Sequence, residues 1–126
     1  MTGLARRLRS VTVLSFAVAV SGCMFFDWMF DPPGKGKMAE RGYALCAPLI
    51  EALEKYRADN QRYVGSLNGL APKYLARLPD EQLNAMRVTY FSRGLDYELS
   101  FSYGGPGMNT CIYKSEAGTW SCMGYY

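Results

Sequence analysis

The chain has 126 residues, enough for one domain at most, and it contains no histidine. The lack of imidazole excludes histidine-based acid–base catalysis and histidine-ligated metal sites. The net charge is +3, but three of the 14 basic residues, Arg6, Arg7 and Arg9, precede an apolar run, and the part from Cys23 onward has 11 basic and 11 acidic residues. A neutral net charge argues against the extended basic face that nucleic-acid binding needs, so we expect no nucleic-acid partner.

Residues 1–22 have the layout of a secretory signal peptide, in which a basic start precedes an apolar core. The motif Val20-Ser21-Gly22-Cys23 resembles the lipobox of bacterial lipoproteins. That resemblance implies a diacylglycerol on the Cys23 thiol and cleavage just before Cys23. The alternative is an uncleaved membrane helix over 11–30, a run of spanning length in which Asp27 is the one charged residue.

The lipoprotein resemblance also implies a location. Aspartate directly after the lipidated cysteine favours inner-membrane retention in proteobacterial lipoproteins, and this chain has Met24 there. We therefore expect a lipid-anchored protein of the bacterial cell envelope, at the outer membrane and facing the periplasm if the host is Gram-negative. Its first partner is then the membrane itself, through the lipid on Cys23.

Residues 23–37 form the predicted tether, which is unusually apolar. Its large apolar side chains are Phe25, Phe26, Trp28, Met29 and Phe30. Aromatic residues favour the water–lipid boundary, and Lys35 and Lys37 suit anionic headgroups. Two alternatives are that the aromatic residues fill a groove on the domain or dock a partner protein. Pro32-Pro33-Gly34 ends whatever structure precedes it.

Residues 38–126 form the predicted domain, which begins with a helix from Ala39 to Asp59. Apolar residues recur there at spacings of three and four, and Glu51 and Lys55 make a favourable i,i+4 pair. Pro48 interrupts the pattern, so the regular helix either starts near Ala47 or kinks at Pro48. The predicted apolar stripe consists of Cys46, Leu49, Leu53, Tyr56 and Asn60.

The second half of the domain changes from helical to alternating periodicity. Short helical turns are expected at 67–70 and 80–86. After Arg87 the chain has four aromatic-rich segments in which side chains alternate with a period of two, and turn residues separate these segments. This pattern predicts an antiparallel meander of three or four strands. The expected fold class is α+β, with one long N-terminal helix packed on that sheet.

The segment 52–79, ALEKYRADNQRYVGSLNGLAPKYLARLP, resembles the helix end and connecting loop of type II secretion major pseudopilins and type IV pilins. The match covers about 30 residues, with a looser match through the meander. It implies a pilin-like fold. The chain lacks the family's N-terminal pilin motif and its aspartate-rich calcium loop, so neither filament assembly nor calcium binding is carried over, and no cofactor is expected.

The pairing of the cysteines follows from the predicted strand register. A turn over 115–118, with Gly118 left-handed, pairs Lys114 with Thr119 and sets Cys111 opposite Cys122, within disulfide range. Bridged C-terminal hairpins also occur in pilins. Cys46 is then left over, either as a buried small hydrophobe, in a bridge to one of the other two cysteines, or bonded to another chain.

Together these features predict a non-enzymatic envelope protein whose pilin-like domain is an interaction module. The resemblance suggests a link to a secretion or pilus system, with a protein partner that the sequence does not name. Glu51, Glu54 and Asp59 are the acid–base candidates, but a solvated helix face explains them better. The alternative is a low-copy pilin-class subunit with an uncleaved N-terminal membrane helix.

Overall fold

The computed structural model describes residues 31–104 and 108–124, which form one long helix against a four-stranded sheet. The elements are α1 (Gly36–Asn60), a 3-10 helix (Leu67–Leu70), α2 (Asp80–Ala85), β1 (Thr89–Ser92), β2 (Tyr97–Tyr103), β3 (Asn109–Lys114) and β4 (Thr119–Met123). The expected α+β class, with a long helix and an antiparallel sheet, is confirmed. The predictions for the signal peptide, Cys23 and the aromatic residues Phe25, Phe26, Trp28 and Phe30 lie outside the described residues.

Helix α1 is longer than its sequence pattern predicts and continues through Pro48. Of the two alternatives for Pro48, a regular helix that starts only near Ala47 is therefore wrong. Proline cannot donate to the carbonyl of Ala44, but both residues are exposed, so water can satisfy that carbonyl. The helix ends at Asn60, and the next residue, Gln61, has a left-handed backbone (φ 60°) and donates its N–H to the Arg57 carbonyl at 2.7 Å.

The core lies between one side of α1 and the inner face of the sheet, with β2 beneath the helix. Of the predicted stripe, Cys46, Leu49 and Leu53 are fully buried, whereas Asn60 is exposed. The buried inner-face residues of β2 are Tyr97, Leu99, Phe101 and Tyr103. Gly42 lies against the Phe101 ring so closely that a Cβ there would clash, which lets the helix approach the sheet.

The strands form a meander in the order β1-β2-β3-β4, with each neighbouring pair antiparallel. In the last hairpin Lys114 pairs with Thr119 and Cys111 with Cys122, which confirms the predicted register. Gly118 has the expected left-handed backbone, with φ 66°. Cys111 and Cys122 form a disulfide, also as predicted.

The meander gives the domain two ends. At the first end, which we call the entry end, the start of α1 lies beside the end of β2, the start of β3 and the end of β4. Gly34 contacts Tyr103 there, and a Cβ added at Gly124 would lie 3.0 Å from Pro33. At the second, which we call the turn end, the chain after α1 meets the β1–β2 turn through a bond from the Tyr63 N–H to the Gly94 carbonyl at 2.7 Å. The chain enters the domain at one end only.

Candidate functional site

The most constrained feature of the entry end is the backbone of Gly34, two residues before α1. The Tyr43 hydroxyl on α1 donates to the Gly34 carbonyl at 2.9 Å. The Gly34 N–H donates to the Tyr103 hydroxyl at the end of β2, at 3.1 Å. Helix and sheet thus each hold one polar group of the same peptide residue. We call Gly34, Tyr43, Tyr103 and the Cys111–Cys122 disulfide the entry clamp.

The disulfide lies directly against Tyr43 and Gly34 of the entry clamp. The Tyr43 hydroxyl lies 3.3 Å from Cys122 Sγ and 3.8 Å from Cys111 Sγ. A Cβ at Gly34 would lie 2.7 Å from Cys122 Sγ, and the Gly34 φ of 84° is left-handed, so both space and backbone require glycine there. Burial, with a smaller contribution from Tyr103, raises the pKa of Tyr43, so its hydroxyl stays protonated and able to donate. The fold therefore fixes the point at which the preceding chain reaches the domain.

Exposed methionines and cations surround the entry clamp. Met108 and Met123 are 52% and 55% exposed, and Met38 on the first turn of α1 is also exposed. Arg41 Nη1 lies 4.0 Å from Met38 Sδ, and Arg87 Nη1 lies 3.6 Å from Met108 Sδ. We call the surface formed by these residues, with Lys35 and Lys37, the entry face.

The turn end has a different exposed surface. Leu95, in the β1–β2 turn, is 78% exposed, and Phe91 on edge strand β1 is also exposed beneath the Arg93 guanidinium. The cations here are paired: Arg93 approaches Asp96 and Glu98 at 3.9 and 4.0 Å. An exposed leucine and phenylalanine at the end opposite to the chain entry form a surface that protein partners can contact.

Eight of the ten tyrosines lie in the described residues, and all of them pack in or against the core. These eight tyrosines therefore serve as packing residues of the domain. Tyr97 is at the centre, with its ring 4.6 Å from Tyr63. Its buried hydroxyl has no hydrogen-bond partner within the described chain.

The neighbouring Tyr63, unlike Tyr97, has hydrogen-bond partners for its hydroxyl. Its hydroxyl donates to Glu54 at 2.9 Å and accepts from Arg57 Nη1 at 3.1 Å. Burial, followed by the hydrogen bond to the Glu54 carboxylate, raises the pKa of Tyr63. The loop after α1 is thereby fastened to the solvent side of the helix.

Cys46 is a buried free thiol, as the first of its three interpretations predicts, and it bridges neither Cys111 nor Cys122. Its side chain is fully buried among the residues of the core. Burial raises the pKa of the thiol from 9.0 to about 12. A thiol that is both inaccessible and protonated at neutral pH has the opposite properties of a reactive cysteine.

The acid–base candidates lie on the exposed side of α1 and have ordinary surface partners. Glu51 pairs with Lys55 at 3.1 Å, as the i,i+4 spacing predicts, and Glu54 accepts from Tyr63. Asp59 accepts from the Tyr74 hydroxyl at 2.9 Å, and Lys73 lies 3.8 Å from it. These contacts explain the three carboxylates as parts of a solvated helix face.

An open groove of about 640 Å³ lies beside the 3-10 helix and α2. Its charged lining is mixed and consists of Arg77, Asp80 and Glu81. Among residues 31–104 and 108–124 no group of three acidic or cysteine side chains is arranged to hold a metal ion. The described helices also include none with the length and apolar character that crossing a bilayer requires.

Searches of protein-family models, curated proteins and solved structures find no match to this chain. The candidate site therefore rests on the geometry of the entry clamp, the entry face and the turn end. Sequence reasoning did not find the entry clamp, because it joins residues 69 positions apart through single hydroxyls. The one sequence signal for the entry clamp was a glycine that follows two prolines, two residues before the helix.

Proposed function

We propose that this protein is a non-enzymatic, lipid-anchored component of the bacterial cell envelope, whose pilin-like domain is an interaction module linked to a secretion or pilus system. The lipobox-like Val20-Ser21-Gly22-Cys23 and the preceding signal peptide support the anchor. The pilin-like segment 52–79 supports the link to such a system, together with a long helix on a four-stranded antiparallel meander.

The entry clamp is the observation that carries the proposal. Residues 24–30 separate Cys23 from the first described residue, and Gly34 is bonded to both α1 and β2 soon afterwards. A lipid on Cys23 would therefore be connected through a short segment to a fixed point at one end of the domain. The turn end, with exposed Leu95 and Phe91, would then face away from the membrane, where a partner can reach it.

Replacement of the lipidated cysteine tests the anchor. Cys23→Ala should move the protein from the membrane fraction to the soluble fraction of the envelope and abolish its function in a deletion strain. Cys46→Ala is the matched control, since it also removes a thiol, and it should leave the protein in the membrane fraction. Full complementation by Cys23→Ala would refute the anchor-dependent part of the proposal.

The alternative function is a low-copy pilin-class subunit with an uncleaved N-terminal membrane helix. The specific observation that favours it is the continuous 25-residue helix α1 over an antiparallel meander, an arrangement that would also suit a filament subunit. Mass spectrometry of the N-terminal peptide from native membranes separates the two. An acylated Cys23 at the N-terminus supports the lipoprotein, whereas a peptide that retains residues 1–22 with an unmodified Cys23 supports the pilin-class subunit.

A further inference from the structure

We propose that the entry face binds the surface of an anionic lipid bilayer, so that the folded domain itself, and not only its lipid, contacts the membrane. This inference rests on the proposed lipid anchor, which brings the entry face to the bilayer. It goes beyond that function because it assigns a second membrane contact to residues of the folded domain and sets its orientation.

Chain length keeps the entry face near the membrane. Eight residue steps separate Cys23 from Asp31, and a fully extended chain spans about 3.3–3.6 Å per residue, so the separation is at most about 30 Å. The entry clamp then holds Gly34 against Tyr43 and Tyr103. The entry end is thus confined close to the headgroups, where a weak surface affinity suffices because binding is intramolecular.

The charges of the entry face suit an anionic surface. The segments that form the entry end, 31–41, 86–89, 108–110 and 122–124, contain four basic and two acidic residues. The basic residues are Lys35, Lys37, Arg41 and Arg87. Within the described residues none of these four has a carboxylate within ion-pair distance, whereas Arg93 and Lys114 of the turn end both pair with Glu98. Unpaired cations are available to phosphate groups, and paired ones are already neutralised.

Apolar groups accompany these cations in a way that suits the bilayer interface. Met38 lies beside Arg41, and Met108 beside Arg87. Flexible thioether side chains next to cationic side chains can enter the headgroup region while the charge stays at the phosphates. With the entry face on the bilayer, the seven residues of β2 extend about 23 Å outward at about 3.3 Å per residue. Leu95 would then be at the outer end.

The test uses the lipidated full chain in nanodiscs, with ¹³C-labelled methionine and leucine methyl groups and lipids that carry a spin label on the headgroup. The expected result is strong paramagnetic relaxation of the Met38, Met108 and Met123 methyls in phosphatidylglycerol-containing nanodiscs. It should weaken in pure phosphatidylcholine. The exposed Leu95 methyl groups at the turn end are the internal control and should show little relaxation.

A charge-reversal pair tests the electrostatic part. Lys37→Glu with Arg41→Glu should lower the ratio of docked to undocked protein by more than about ten-fold, since each cation near an anionic surface contributes to binding. The matched control, Lys55→Glu with Lys73→Glu, makes the same change in net charge on exposed residues outside the entry face and should leave the relaxation unchanged. Equal losses in both variants would overturn the proposal.

The remaining outcomes separate this inference from the proposed function. If mass spectrometry shows acylated Cys23 but the three methyls are not relaxed, the anchor stands and the entry-face contact is wrong. If Cys23 is unmodified, the proposed function fails. If the methyls contact the aromatic residues of the tether instead of lipid, the tether covers the entry face and the proposal is overturned. Equal relaxation in neutral and anionic nanodiscs would overturn it as well.

Discussion

The Tyr43 hydroxyl connects the disulfide to the entering chain, because it lies 3.3 Å from Cys122 Sγ and donates to the Gly34 carbonyl at 2.9 Å. One side chain of α1 thus contacts both β4 and the segment before the helix. The packing of Tyr43 comes from its ring, which contacts Phe101 and Trp120 edge to face, and does not depend on the hydroxyl. Its polar contribution can therefore be measured by removal of the oxygen alone.

Tyr43→Phe should lower the free energy of unfolding by about 1 kcal/mol, the usual net value of one hydrogen bond. It should also speed amide exchange at Gly34 and Lys35. Tyr113→Phe is the control, because the Tyr113 ring packs on Trp120 while its hydroxyl makes no hydrogen bond within the described residues. Urea denaturation and hydrogen exchange supply both readouts. Equal effects of the two variants would show that Gly34 is not held by the Tyr43 hydroxyl.

The Cys111–Cys122 disulfide closes a loop with a sequence separation of 11. Removal of a cross-link over such a short loop should cost about 2–3 kcal/mol, chiefly through the greater freedom of the unfolded chain. We expect this loss from the double variant Cys111→Ala with Cys122→Ala, and the same loss in the native protein under reducing conditions. Cys46→Ala should leave sensitivity to reductant intact, and a loss of that sensitivity would contradict the pairing.

Gly42→Ala should destabilise the domain although alanine is the better helix former. The added Cβ would overlap the Phe101 ring, and overpacking of a core contact costs about 1–3 kcal/mol, more than the helix-propensity gain of about 1 kcal/mol. Gly65→Ala is the matched control, because a Cβ there meets nothing within 4 Å. Thermal unfolding of both variants decides the matter, and an unchanged or raised Tm for Gly42→Ala would show that α1 lies farther from β2.

Two neighbouring tyrosines should respond in opposite directions to loss of the hydroxyl. Tyr97→Phe should leave stability unchanged or raise it by about 1 kcal/mol, because the buried Tyr97 hydroxyl has no partner in the described chain. Tyr63→Phe should lower stability by about 1–2 kcal/mol, since it loses bonds to Glu54 and Arg57. Urea midpoints measured side by side compare the two, and a large loss in Tyr97→Phe would reveal an unseen partner.

The buried thiol predicts a specific alkaline loss of stability. The Cys46 thiol ionises near pH 9 when unfolded, whereas burial raises its pKa in the folded protein to about 12. The native state therefore holds a proton that the unfolded state releases, and the stability that is present below pH 9 is lost as pH rises toward 12. The slope is about 1.4 kcal/mol per pH unit for one proton.

Urea midpoints of the native protein and Cys46→Ala, measured side by side between pH 8 and pH 10, isolate this effect by difference, since the buried tyrosines contribute equally to both. Cys46→Ala should be less stable at neutral pH, because it leaves a cavity, yet its stability should fall less steeply in this window than that of the native protein. The same slope in the variant would assign it to another group. In the native protein an alkylating reagent should also fail to label Cys46 at neutral pH.

The elements were predictable from sequence because their signals are local. The alternation of CIYKSEAGTWSC, with Gly118 in the turn, determines which residues of the hairpin oppose each other. The Cys111–Cys122 pair could therefore be predicted from the sequence. The sequence left two alternatives open at Pro48, because the continuation of α1 through it depends on the exposure of one carbonyl. The entry clamp was equally hidden, since hydrogen bonds between Gly34, Tyr43 and Tyr103 leave no periodic pattern.

The entry clamp also determines how the domain would bear mechanical load. Tension on the chain before Gly34 would pass at once into α1 through Tyr43 and into β2 through Tyr103, two elements that pack on each other across the core. The adjoining hairpin is closed by a covalent bond, so β3 and β4 cannot be unzipped while it is intact. We therefore expect a domain pulled from this end to resist as one unit, instead of yielding its helix first.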